Sequence, residues 1–115
     1  MKNARTHRDP SARLDGVFAA LSDPTRRAIV SRLAQQECSV SELWKPFAIS
    51  APAISRHLRV LEESGLISRR KSGRVHYCRV RPDELRLAAD WMAKQRAFWE
   101  QQLDALERFL DEEQS

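Results

Sequence analysis

Residues 50–61 combine small, hydroxylated and cationic side chains with an apolar repeat that can hold them in place. Ile54, Leu58 and Leu61 recur at helical spacing, which predicts a helix with one buried face. Ser50 is suited to cap the start of this helix, and Gly65 is suited to end it. The other side carries small, hydroxylated and cationic residues, a mixture that fits a major groove and reaches base edges and phosphates. We predict DNA contacts from Ser50, Ala51, Ala53, Ser55, Arg56 and Arg59.

A short helix is predicted just before this one. Residues 39–42 (SVSE) have the spacing of a capping box, in which a serine and a glutamate satisfy the free amide groups of a helix start. Val40, Leu43, Trp44 and Phe47 are its predicted core residues. Together with the turn that follows, the two helices have the outline of a helix-turn-helix.

A basic β-hairpin is predicted after Gly65. Two β-prone runs meet at Ser72 and Gly73, a pair that suits a tight turn. Residues 67–81 hold six cations and no acid, so the hairpin is a candidate wing that touches the DNA backbone beside the groove-filling helix. The wing residues predicted to contact DNA are Arg70, Lys71 and Arg74.

Two further helices are predicted near the amino terminus. Residues 1–12 are polar and cationic, and we expect a flexible basic arm there. Apolar residues from Leu14 to Leu21 predict a first helix from about residue 13, with Val17 and Phe18 on the same face. Residues 22–25 (SDPT) then place a capping side chain before a proline, which predicts the start of a second helix. On that helix Arg26 and Arg27 are expected to stay solvated or to approach phosphate.

A long helix is predicted from residue 82 to about residue 112. Its apolar stripe is too wide to be covered by one neighbour. Burial against the chain's own first helix is one interpretation, and contact with the same helix of a second copy is the other. We expect a homodimer. Its predicted interface residues are Leu14, Phe18, Leu85, Trp91, Met92, Phe98, Trp99, Leu103, Leu106, Phe109 and Leu110.

The predicted fold is mainly α with a small β-hairpin wing, a winged helix-turn-helix that dimerises through the long carboxy-terminal helix and the first helix. Residues 1–12 form the arm, residues 13–81 the DNA-binding domain, residues 82–112 the dimerisation helix of the same domain, and residues 113–115 a tail. A length of 115 residues favours one such module.

Composition excludes several classes of protein. No apolar run approaches the roughly 20 residues of a membrane span. Residues 1–10 lack the apolar core of a secretion signal, so we expect a cytoplasmic protein.

Catalytic motifs are absent from the sequence. There is no phosphate-binding glycine loop, and there is no nucleophile and base in a recognisable order. We therefore expect neither enzyme activity nor a cofactor.

The motifs resemble those of the ArsR/SmtB-type winged helix-turn-helix repressors over residues 14–110. The resemblance rests on residues 20–27 (ALSDPTRR), 40–43 (VSEL), 50–61 (SAPAISRHLRVL), 65–66 (GL) and 73–74 (GR). It implies a homodimer that represses transcription by occupying a promoter. It also implies that the fourth helices enter successive major grooves of an imperfect inverted repeat of double-stranded DNA, and that the wings contact the flanking backbone.

The metal sites of that family do not match this sequence. One uses cysteines just after the Glu-Leu pair, but Leu43 is followed here by Trp44 and Lys45. The other uses histidines on the last helix, and no histidine follows His76. The resemblance is therefore to a subset that lacks these sites, and we expect no metal.

The two cysteines are too few for a disulfide framework and are expected to rest as thiols. Cys38 is placed in a turn before the third helix and Cys78 in the wing, and no spacing between them builds a zinc site. A small-molecule or redox effector stays open and unidentified.

A protein-interaction adaptor that has lost specific DNA binding is the alternative function, and charge reversal separates the two. For a regulator, binding to the chain's own promoter fragment should weaken steeply between low and moderate salt and collapse in Arg56→Glu or Arg74→Glu, because phosphate contacts release counterions. Fluorescence anisotropy measures this binding. The adaptor would be favoured if wild type and variants bind equally weakly and do not distinguish the promoter from random DNA.

Overall fold

The computed structural model describes residues 9–114, which form five helices and three strands. The order is α1 (Pro10–Ala20), α2 (Pro24–Gln35), β1 (Cys38–Ser39), α3 (Val40–Trp44), α4 (Ala51–Glu63), β2 (Ile67–Ser72), β3 (Val75–Val80) and α5 (Pro82–Gln114). The predicted mainly α fold with a hairpin wing is confirmed. None of the helices within these residues has the length and apolar character needed to cross a bilayer.

Side-chain caps define the starts of the first four helices. Asp23, Ser39 and Ser50 cap α2, α3 and α4 as predicted, and the capping box of α3 is complete. The start predicted for α1 is three residues late. Asp9 accepts a hydrogen bond from the Ala12 amide at 2.8 Å, so the helix begins at Pro10. Residues 10–12 therefore belong to α1, and residues 1–8 of the predicted arm lie outside the described residues.

The wing belongs to a three-stranded antiparallel sheet in the order β1-β3-β2. Its hairpin turn contains Gly73 at a φ of 61°, a left-handed conformation that favours glycine. The short strand β1 was not predicted. Cys38 lies in this strand rather than in a turn, and it is the direct cross-strand partner of Cys78. The sheet thus brings together two cysteines that are 40 residues apart in the sequence.

The core lies between the helix-turn-helix, α2 and the base of the sheet. Ile54, Leu58 and Leu61 of α4 are buried in it as predicted. Trp44 is not a core residue: 38% of it is exposed, and its indole N–H donates to the Ile49 carbonyl at 2.9 Å. That hydrogen bond holds the indole over the turn that joins α3 to α4. Phe47 packs partly buried against the core.

Among residues 9–114, the other elements cover only the first turns of α5. The buried Glu84 carboxylate accepts a hydrogen bond from the Arg13 guanidinium at 2.6 Å, and Trp91 meets Phe18 edge to face at 5.6 Å between ring centroids. The helix then continues for a total of 33 residues, on the order of 50 Å. It runs to Gln114, so residues 113 and 114 of the predicted tail are helical.

Burial of Cys78 predicts a pH-dependent loss of stability. Burial raises the pKa of the Cys78 thiol to about 11, above its ordinary value of about 8.5. Between these values the unfolded thiol loses its proton and the folded one keeps it, so the free energy of unfolding should fall as pH rises. Urea unfolding from pH 8 to pH 11 should show a steeper fall for wild type than for Cys78→Ala. Equal slopes would contradict the assignment.

Candidate nucleic-acid interface

The solvent-facing side of α4 carries a line of residues directly opposite its buried side. Pro52, Arg56 and Arg59 follow one another at helical spacing and are exposed. No hydrogen bond or ion pair joins Arg56 or Arg59 to any other part of residues 9–114. Both guanidinium groups are therefore available to a polyanion.

The other residues predicted to contact DNA from α4 flank this line at the amino-terminal end of the helix. Ala51 and Ser55 are exposed, whereas Ala53 is half-buried. The exposed Ser50 accepts a hydrogen bond from the Ala53 amide at 3.2 Å, so its hydroxyl oxygen serves first as a cap. Contact of all these residues with DNA remains a prediction.

Of the three wing cations predicted to contact DNA, two have no intramolecular partner among the described residues and one is paired. Lys71 and Arg74 are exposed at the hairpin tip and have no partner among the described residues. Arg70 instead donates to the Glu37 carboxylate at 2.9 Å and stacks over the Tyr77 ring, 4.6 Å from its centroid. The hydrogen bond from Arg70 holds the pKa of Glu37 below its usual range. Arg70 therefore presents a neutralised charge to DNA, unlike Lys71 and Arg74.

Arg26 and Arg27 contact the carbonyl end of α1. Arg26 donates to the Ala20 carbonyl at 2.6 Å, and Arg27 donates to the Leu21 carbonyl at 2.8 Å. These oxygens end a helix and have no partner within it, so a cation is favourable there. The positions predicted for phosphate contact thus have an intramolecular role.

Arg26 also connects this junction to α4. A second nitrogen of its guanidinium lies 3.3 Å from Nδ1 of His57, and the Asp23 carboxylate lies 3.8 Å from the same atom. His57 itself is half-buried. The contacts tie the end of α1 and the start of α2 to the middle of α4, and so help to fix the direction of its outer side.

Some interface candidates were missed in the sequence. Pro52 lies four residues before Arg56, and this spacing alone could have placed it on the outer side. His76 could not have been found in this way, because strand pairing places it opposite Lys71. An open cleft beside the wing is lined by Ser39, Val40, Ser41, Arg69, Arg74, Val75 and His76.

The residues predicted for the dimer interface divide into two groups. Leu14 and Leu85 are partly buried against the protomer's own core. The remaining nine are at the surface, and Trp99 is 58% exposed. These nine are Phe18, Trp91, Met92, Phe98, Trp99, Leu103, Leu106, Phe109 and Leu110. A second protein surface covering them stays a prediction.

The residues present do not fit the metal sites of the resembled family. Leu43 is buried, and the positions that follow it are Trp44 and Lys45, which offer no thiolate. Within residues 9–114 no group of three or more histidine, cysteine, aspartate or glutamate side chains is close enough to hold an ion.

The described chain has the geometry of a winged helix-turn-helix DNA-binding protein: a short helix, a turn, an outward cationic helix and a basic hairpin. Comparison with known proteins agrees with this class. Residues 23–69 match the family model described as bacterial regulatory protein, arsR family.

Known proteins match most of the chain. The HTH-type transcriptional regulator Rv2034 of Mycobacterium tuberculosis is 34% identical over 108 residues, 94% of each chain. The transcriptional repressor SdpR of Bacillus subtilis is 34% identical over 69% of this chain and 88% of its own. The solved structure of an ArsR-like transcriptional regulator from Rhodococcus sp. RHA1 is 35% identical, with a TM-score of 0.70 over 86% of this chain and 93% of that one.

The chain therefore belongs to the arsR family of bacterial regulatory proteins. It is a DNA-binding transcriptional regulator, and the family assignment favours this function over both an enzyme and the adaptor.

Arg26→Gln and Arg27→Gln form a matched pair that tests the intramolecular role. Each variant loses a charged hydrogen bond to the end of α1, so unfolding should become easier by about 1 kcal/mol. Only Arg26→Gln should also weaken DNA binding, because only Arg26 contacts His57 of α4. Neither should change the salt dependence of binding. If Arg27→Gln lowers the slope of log K against log[salt] by about one, Arg27 contacts phosphate after all.

Proposed function

We propose that this regulator is a homodimeric repressor that binds an imperfect inverted repeat at a promoter in the cytoplasm. In this account residues 13–81 are the DNA-binding part and residues 82–112 the dimerisation helix. The observation that carries the proposal is the pairing of an exposed cationic side on α4 with an uncovered apolar stripe on α5.

The apolar stripe supports a second copy as its occupant. Ala88 is buried in the protomer's own core, and Trp99 and Leu106, which continue along the same side of α5 at helical spacing, are exposed in the described part of the chain. One end of a continuous apolar stripe is thus buried within the protomer, and the rest of the stripe is exposed. Exposed aromatic and aliphatic surface of this extent is typical of an interface rather than of a monomer.

Charge supports an antiparallel arrangement of the two α5 helices. Residues 100–114 hold six acids and one cation, whereas residues 82–99 hold three of each. Parallel packing would place two acidic ends side by side. Antiparallel packing places each acidic end beside the neutral beginning of the partner helix, which lowers repulsion.

The dimer would present two copies of α4 to one side of a duplex. Helix-turn-helix dimers bind half-sites about one helical turn apart, roughly 34 Å, and the symmetry of the protein is matched by an inverted repeat in the DNA. The bases would be met by Ser50, Ala51, Ala53, Ser55 and Arg56, with Arg59, Lys71 and Arg74 on the backbone. Occupancy of the promoter would block transcription. This mode of repression requires neither a catalysed reaction nor the metal sites of the family.

Trp99→Glu and Gln101→Glu test the dimer with the same added charge on two sides of α5. Trp99 lies in the stripe, whereas Gln101 lies on the opposite, solvent-facing side. A buried unpaired carboxylate is costly, so Trp99→Glu should sediment as a monomer and lose operator binding by about 100-fold or more, and Gln101→Glu should behave like wild type.

Analytical ultracentrifugation measures the oligomeric state. Fluorescence anisotropy measures binding to the operator, which is first located by footprinting the upstream region. A Trp99→Glu protein that remains dimeric and binds the operator normally would contradict this interface.

A further inference from the structure

We propose that each half-site contains a thymine whose 5-methyl group packs on the first turn of α4, and a guanine about two base pairs away that is bound by Arg56. This inference rests on the proposed function, since it names the bases that the same helix would meet.

The first turn of α4 offers apolar surface and few hydrogen-bond donors. Ala51 and Pro52 are exposed there as a methyl group and a pyrrolidine ring. Pro52 has no amide hydrogen. The Ala53 amide donates to the Ser50 hydroxyl at 3.2 Å, and the Ile54 amide donates to the Ser50 carbonyl at 3.1 Å. This helix start therefore lacks most of the free amides that hold a phosphate at other helix starts.

Thymine is the base that matches such a surface. In the major groove its 5-methyl group is the apolar feature of an A·T pair, and small apolar side chains contact it. A polar base edge placed against Ala51 and Pro52 would lose its hydrogen bonds to water. The side chains of Ala51 and Pro52 have no donor or acceptor to replace those bonds.

Arg56 supplies the next contact along the same side of the helix. Its guanidinium has no partner within residues 9–114, and arginine binds O6 and N7 of guanine with two parallel hydrogen bonds. Four residues of helix separate Pro52 from Arg56, about 6 Å. This distance corresponds to about two base pairs at roughly 3.4 Å each.

Arg59 lies one turn further on, and the exposed acid Glu63 follows it on the same side. An acid is repelled by the duplex, so the contact surface ends there and Arg59 is assigned to the rim of the groove and to phosphate. The base contacts therefore fall between Ser50 and Arg56.

Modified bases test this assignment without altering the protein. Duplexes bound by the wild-type protein are first selected from a randomised pool. In the selected site each thymine is replaced by deoxyuridine, which removes only the methyl group, and each guanine by 7-deazaguanine, which removes the N7 acceptor. Replacement of one thymine should weaken binding by about 3-fold or more. Replacement of one guanine, roughly two base pairs from that thymine, should weaken binding by about 10-fold.

Two arginine variants identify the residue that binds the guanine. Arg56→Ala should bind the normal and the 7-deazaguanine duplex with equal affinity, since the contact is already lost. Arg74→Ala, a wing variant, should lose affinity but keep the full sensitivity to 7-deazaguanine. Circular dichroism verifies that both variants are folded.

The outcomes separate this inference from the proposed function. Failure of wild type to enrich any sequence would overturn both. Enrichment of a specific site that tolerates deoxyuridine and 7-deazaguanine at every position would overturn the base assignment alone, and so would an Arg56→Ala variant that keeps the sensitivity to 7-deazaguanine.

Discussion

The burial of one side of α4 determines where its other side points. Ile54, Leu58 and Leu61 are enclosed by the core, so the helix has no freedom to rotate without exposing them. The outward position of Arg56 follows from this packing and not from any contact of its own. The link from Arg26 to His57 adds a polar restraint on the same helix. The DNA-facing surface is thus a consequence of how the opposite surface is packed.

Charge pairing separates the cations that hold the fold together from those that stay available. Arg13 is paired with Glu84 and Arg70 with Glu37, and each pair joins segments that are far apart in the sequence. Arg56 has no such partner among the described residues. Long-range attraction to DNA depends on charge that no neighbouring acid compensates. The number of arginines therefore overestimates the DNA-binding surface. The arginines without an acidic partner show where that surface lies.

Local signals explain why much of the fold could be predicted from the sequence. Caps such as Ser39 and Ser50, and the hairpin turn at Gly73, act over a few residues and leave a clear pattern. Features that depend on contacts outside a residue's own helix or strand were wrong or missed. Strand β1 forms only because β3 is beside it, and this pairing places Cys38 opposite Cys78. Arg26 appeared free in the sequence, yet the end of α1 folds back within reach of it. Trp44 was assigned to the core by its spacing alone, although a single hydrogen bond holds it at the surface.

In the proposed dimer, two outward helices meet one side of a duplex at a fixed separation. Hydroxyl-radical footprinting of the wild-type protein on its upstream region measures this separation directly. The dimer should protect two patches related by an inverted repeat, with centres about 10 to 11 base pairs apart or a multiple of that spacing. A single protected patch, or uniform protection along the whole fragment, would contradict it.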